Sequence, residues 1–469
     1  MLKLKNIISH LEENLYTTIE ESLKKNKADN SLFLFISYRK NIIDSIIINE
    51  LKLSTNSFYV LKSRLYDKIQ CHLSGEMNIT REELIKKLDT LPEMCFTEPR
   101  EIIIPYLEKM ESDLLKYDMH RELLSVYSIL KKINLFSDKY FYYSQLYNKH
   151  IAYKLSIEKS EEILGNFNRI LGKYHFSKSE NLKDELLFIK KEINVQHDLN
   201  PSRQIKIIKN IINLQLFLFC EIDSTDNSNI EELLRDTIKI IHELPESSIY
   251  KYWITALDFL SFEYYFKIGR KEQAIVFYDS VNSKLQSLLL FKNVCCTPFF
   301  LISKLAFIQE TGRLKDVLEI ENPNKNIEIN DIHSSVCVGI YDATVYYLKN
   351  NLKEATNCLQ NLINENSFKD YFHINIEIKF TLIIIYLQLN EYEMALSLLK
   401  SIYRKIKLDK LDNYQNALSL IKVLEQEANN KSAKVSSKQK DDFLLFMARN
   451  KNENEILKHL IFTLTKKYS

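Results

Sequence analysis

Glycine and proline are scarce in this chain, with 6 and 7 among 469 residues. Sheets and tight turns draw on both, so their scarcity excludes a turn-rich β protein and glycine loops that cradle phosphate. An excess of one charge is also missing. The 64 basic and 62 acidic side chains leave a formal charge of +2, which excludes a chain that is basic throughout and built to coat nucleic acid. The seven cysteines, Cys71, Cys95, Cys220, Cys295, Cys296, Cys337 and Cys358, are odd in number and never spaced as CxxC. That usage implies reduced thiols in a cytoplasmic protein.

Long apolar runs are absent as well. "SLFLFISY" and "FTLIIIYLQL" are too short to cross a bilayer, and residues 287–308 are interrupted by Lys292, Pro298 and Lys304. The opening "MLKLKNIISHLEENL" has acidic residues where a signal peptide needs an unbroken apolar core. A soluble protein with no membrane partner is expected. No phosphate loop, GxSxG, HExxH or GxGxxG occurs, so neither catalysis nor a cofactor is expected. "CH" at 71–72, "CC" at 295–296 and His333 with Cys337 are the groupings that suggest a metal. Two ligands do not make a zinc site, and no metal is expected. His10, His120 and His150 sit among charged or aromatic helix residues and read as surface or satisfied groups.

What the chain does have is 45% hydrophobic residues at helical spacing, enough for a large all-α core. The stretch "YYFKIGRKEQAIVFY", residues 264–278, shows how it is organised. Gly269 stands five residues before Ala274 and Tyr265 nine before. Asn350 and Tyr346 stand in the same places before Ala355, and Asn390 and Tyr386 before Ala395. A weaker copy has Ile308, Gly312 and Val317, so the anchors recur about every 40 residues. Gly and Asn best tolerate the positive φ that helices need just past their last turn. Each copy therefore reads as a helix, a tight turn and a second helix. The small residue lets the two helices approach, and the aromatic fills the space beside it.

These copies resemble the tetratricopeptide repeat, whose helix pairs carry an aromatic, a glycine and a small alanine in this order. The resemblance covers roughly residues 254–405. It implies a right-handed α-solenoid of antiparallel helix pairs that binds a protein or peptide along its concave face. Its period is longer than that family's, and no copy has the closing proline. In the resembled repeat the first helix of each pair builds that face. Carried over by the alanine anchors, Phe259, Glu263, Phe266 and Lys267 would line it, followed by Thr344 and Tyr347, then Leu387 and Gln388.

The chain divides on these signals into an N-terminal helical region at 1–90, the solenoid at 91–428, a polar linker at 429–442 and a C-terminal amphipathic helix at 443–469. Within the first, "DSIIINELKLSTNSFYVLKSRLYDKI", residues 44–69, reads as a helix-turn-helix. Ser54 would cap its second helix, and Phe58, Leu61, Leu65 and Ile69 would form its apolar stripe. Lys62, Arg64 and Lys68 would then be free for phosphates, which makes nucleic acid the second partner class. In organisation this resembles peptide-responsive bacterial regulators, which join a helix-turn-helix to a tetratricopeptide-like sensor. The 27 Tyr and 25 Phe read as packing groups, including the dense "FYYSQLY" at 141–147.

Overall fold

The computed structural model describes residues 3–11, 13–74, 81–177, 179–220, 227–244, 248–290, 294–318, 331–369, 371–408 and 415–429. The tail expected at 443–469, and all of the linker except Asn429, lie outside these. Among the described residues the secondary structure is entirely helical, and no strand occurs. The chain packs as two compact units. One holds Met1–Glu161 with Val195–Ile208 and Lys239–Lys251. The other holds Glu162–Asn194, Lys209–Ile238 and Tyr252–Ser469.

The first unit begins with α1 (Lys3–His10), α2 (Glu13–Lys25), α3 (Asp29–Arg39), α4 (Asp44–Leu51) and α5 (Thr55–Ser74). Ile8, Ile19, Leu34, Phe35, Ile47, Leu65 and Ile69 close one core among them without contact to solvent. Arg39 binds the end of α1, donating from Nη1 to the carbonyls of Ile8, Ser9 and Leu11 at 2.9–3.0 Å. A guanidinium there satisfies carbonyls that the helix leaves open. α6 (Arg81–Thr97), α7 (Arg100–Lys116) and α8 (His120–Ile133) form a second core around Leu91, Leu107, Leu114, Leu123 and Leu130. The long α9 (Lys139–Ser177) follows. α10 (Glu180–Leu199), α11 (Arg203–Cys220), α12 (Asn227–His242) and α13 (Ser248–Lys267) come next, and residues of α9 to α13 belong to both units.

The second unit continues through α14 (Lys271–Ser283), α15 (Leu285–Leu290), α16 (Phe299–Thr311), α17 (Lys315–Leu318), α18 (Ile332–Leu348), α19 (Leu352–Glu365), α20 (Phe372–Gln388), α21 (Tyr392–Leu408) and α22 (Gln415–Asn429). Consecutive helices pack as antiparallel pairs, α18 on α19 and α20 on α21, with α19 against α20 and α21 against α22. This is a generic helical-repeat arrangement.

The turns explain the pairing. Gly269, Gly312, Asn350 and Asn390 all have positive φ, between 61° and 73°. Three of these turns close identically. The amides of Gly269, Asn350 and Asn390 donate three residues back, to Phe266, Tyr347 and Leu387. The next amides, of Arg270, Asn351 and Glu391, donate to the carbonyls of Tyr265, Tyr346 and Tyr386 at 2.9–3.0 Å. That is the Schellman closure, which satisfies carbonyls at the end of the first helix and reverses the chain. Gly312 closes differently, donating to Ile308 at 2.8 Å, and its second helix, α17, has four described residues.

The anchors Ala274, Val317, Ala355 and Ala395 are all completely buried. Gly339 shows how near α18 and α19 come, since a Cβ added there would meet Leu362 Cδ2 at 2.9 Å. Replacing Gly269 by Val is expected to cost about 1–2 kcal/mol, because a β-branched residue is strained at positive φ. Asn350→Gly, at a matching turn, is expected to stay within about 0.5 kcal/mol of wild type. Urea denaturation of both variants checks the pair.

Candidate functional site

The eight residues expected along a groove separate into two groups. Phe259, Thr344, Tyr347 and Leu387 are buried. Phe259 packs against Phe219 and, edge-on, Phe300. Thr344 Oγ1 donates to the Ile340 carbonyl at 2.7 Å. Tyr347 accepts from Gln388 Nε2, also at 2.7 Å. The expectation that these four line an open groove is therefore corrected. α18 and α20 are apolar on nearly every side, and a helix of that kind is covered all round.

Glu263, Phe266 and Gln388 are half-buried, and Lys267 is exposed. Phe266 stacks on Phe262 and meets the ring of Phe307 edge-on. Lys267 Nζ donates to the Leu218 carbonyl at 3.3 Å and lies over the Phe217 ring. Glu263 is one helical turn before Lys267, and its Oε1 is sealed from solvent without a hydrogen bond. Burial pushes its carboxyl up to about 7, against the opposing pull of Ser303 and Lys267.

In the first unit, α4 ends on Lys52 at a φ of 51°, and Ser54 Oγ accepts from the Ser57 amide at 3.2 Å. Phe58, Leu65 and Ile69 are buried and Leu61 is half-buried. Lys62 is committed elsewhere: its ammonium meets Asp44 Oδ2 at 2.9 Å and lies over the rings of Tyr38 and Phe58. Burial opposes the Asp44 charge, but Lys62 and the Tyr38 hydroxyl hold its carboxyl below the usual range. Arg64 is exposed and Lys68 half-buried.

Two polar centres escaped the sequence. His120 and His150 are not surface groups: both are buried, with their Nδ1 atoms 2.9 Å apart. His120 stacks on Tyr153 and brings Nε2 within 3.0 Å of Asp118 Oδ1, out of line for a hydrogen bond. Asp118 holds positive φ and accepts the Arg203 amide at 2.8 Å. Burial works against its charge, but His120 and the Arg203 and Gln204 amides outweigh it. Burial first, then His120 and Lys149, push His150 down to about 4. The second centre is Lys304, fully buried, which donates to Asn282 Oδ1 at 2.8 Å and lies over the Tyr341 ring. Burial lowers its pKa to about 8. In sequence it is one cation in an apolar helix, with no signal that Asn282 is its acceptor.

Cys95, Cys220, Cys295, Cys296, Cys337 and Cys358 are free, and burial raises the thiol pKa of each one of Cys295, Cys296 and Cys337. His333 turns to Tyr371, with Nε2 3.1 Å from its hydroxyl. Among the described residues no group of three or more His, Cys, Asp or Glu could hold a metal ion. Among them, too, no helix is long and apolar enough to cross a membrane. A void of about 10 Å³ between α18, α19 and α20 is lined in part by Thr344, Glu377 and Thr381, room for about one water.

Compared with known proteins, the chain matches no family model, no curated protein and no solved structure.

The two shifted groups have opposite consequences. His150 binds its proton less readily folded than unfolded, so stability should fall as pH drops from 6.5 towards 4. The loss is on the order of 3 kcal/mol, and His150→Phe should remove it in melting curves recorded between those limits. Glu263 resists ionisation when folded, so its cost grows as pH rises from about 4.5 to about 7 and stays constant above that. Glu263→Gln should stabilise the protein by roughly 2 kcal/mol at alkaline pH and much less at pH near 5.

Proposed function

We propose that this chain is a scaffold without catalysis of its own, binding a protein or peptide along its tetratricopeptide-like helical hairpins. The observation that carries this reading is the identical closure of the turns at Gly269, Asn350 and Asn390, each followed by a buried alanine. Hairpins of one geometry stack in register and set the same helix face side by side, which suits a long, shallow ligand. The right-handed superhelix of the tetratricopeptide fold belongs to this proposal. So does a binding surface reduced to Glu263, Phe266, Lys267 and Gln388. Lys267 supplies a charge and Gln388 an amide for a peptide backbone, and Phe266 supplies apolar area.

A second reading, a transcription regulator, draws on the capped α4–α5 turn and the exposed Arg64. It is weaker because Lys62 is already bound to Asp44.

Both readings meet in one experiment. Full-length protein is used to capture partners from its source lysate, and in parallel is titrated with fluorescent duplex DNA at two salt concentrations. The scaffold reading expects a captured partner that Lys267→Glu with Gln388→Ala releases and Arg64→Glu retains. Salt-sensitive DNA binding abolished by Arg64→Glu, with no partner affected by the Lys267 and Gln388 changes, would overturn it.

A further inference from the structure

Most aromatic side chains pack inside, but some face outward. Phe141 and Tyr142 of the "FYYSQLY" cluster are 69% and 56% exposed, and Tyr403 on α21 is 44% exposed. Tyr403 is set among cations. It stands three residues after Lys400 and four before Lys407, beside Arg404, and all three cations are exposed. Lys400, Arg404 and Lys407 follow at i, i+4 and i+7, which sets them in one stripe about 10 Å long. The opposite face of α21 is closed, with Ala395, Leu399, Ile402 and Ile406 buried.

The stripe is uncompensated. The single acid of α21, Glu393, lies in its first turn, well before Lys400. Among the described residues, none of Lys400, Arg404 and Lys407 takes part in an ion pair or a hydrogen bond. Positive charge also gathers towards α20, where burial, then the nearby Lys405, lowers the pKa of half-buried Lys379. Completing the helix dipole accounts for Lys405 and Lys407, in the last turn, but Lys400 and Arg404 stand before it. The formal charge of +2 over the whole chain conceals this local excess.

We propose that this face of α21 binds single-stranded nucleic acid, with phosphates on Lys400, Arg404 and Lys407 and an unpaired base stacked on Tyr403. Cations supply affinity along the backbone, and an aromatic ring serves any base, since each has a π face. A duplex keeps its bases stacked on one another, so a single strand is the form that uses the ring. An acidic peptide would use the charges and leave the ring idle. The site shares no residue with the two surfaces proposed above.

Fluorescence anisotropy tests it: a labelled oligothymidylate of about 12 nucleotides is titrated with the full-length chain at ~50 to ~200 mM salt. Binding is expected, with log K falling against log salt at a slope of about −2, as for about three phosphates. Lys400→Glu with Arg404→Glu should weaken binding at least about tenfold and flatten the slope. Tyr403→Ala should weaken it at least about fivefold with the slope unchanged, whereas Tyr403→Phe should bind as wild type. Arg64→Glu should also bind as wild type, and every variant should keep the wild-type melting temperature. No binding, binding indifferent to the paired cation change, or a silent Tyr403→Ala would overturn the proposal. Polyglutamate that competes as well as the oligonucleotide would assign the face to an acidic peptide instead.

Discussion

The structure depends on one local constraint: a helix can fold back on its predecessor only if its last carbonyls are satisfied while the chain reverses. One residue at positive φ accomplishes both. The closure seen at Gly269, Asn350 and Asn390 also occurs in the first unit, at Lys27, Asn41, Lys52 and Asp118. At each, the residue's own amide donates three residues back, and the next amide donates five residues back. Strain at these non-glycine positions is a small charge against the fold. What offsets it is the packing that each reversal makes available, since a single hairpin has apolar surface on both faces and must be covered by neighbours. The small anchors follow from the same constraint. Close approach also appears at Gly339, where an added Cβ would press on the Leu362 side chain at 2.9 Å.

Close packing also dictates how polar groups are held inside. Asp118 serves three demands: its backbone turns the chain, its carboxylate receives the Arg203 amide, and it stands beside His120. His120 and His150 then share a hydrogen bond rather than seek water. Lys304 in the second unit reaches Asn282 and an aromatic face in the same way. Burial opposes the charged forms of Asp118, His150 and Lys304 alike; at Asp118, His120 and two backbone amides outweigh it, whereas at His150 the neighbouring His120 adds to it. These centres are buried within packed helices.

Much of this was legible in the sequence because Gly and Asn announce positive φ. The hairpins at Gly269, Asn350 and Asn390 and the buried Ala274, Ala355 and Ala395 follow from that signal, and the all-α class from scarce glycine and proline and helical apolar spacing. In the first unit Asn41 carries the same signal and the turn at Lys52 was legible from the Ser54 cap, but Lys27 and Asp118 adopt this backbone without advertising it. Side-chain environment was harder still. Phe259, Tyr347 and Leu387 occupy first-helix positions as expected, yet they are interior: Phe259 packs against Phe219 and Phe300, and the helices of Tyr347 and Leu387 are apolar on nearly every side. The partnership of His120 with His150 joins residues thirty apart, and no periodicity encodes it.

The most direct measurement compares Ala395→Leu with Met394→Leu by chemical denaturation. Ala395 is fully buried at the crossing of its hairpin, whereas its neighbour Met394 is 50% exposed. If close helix approach at the anchors holds the array together, Ala395→Leu lowers stability by about 1–3 kcal/mol, and Met394→Leu stays within about 0.5 kcal/mol of wild type. Equal effects at the two positions would contradict it.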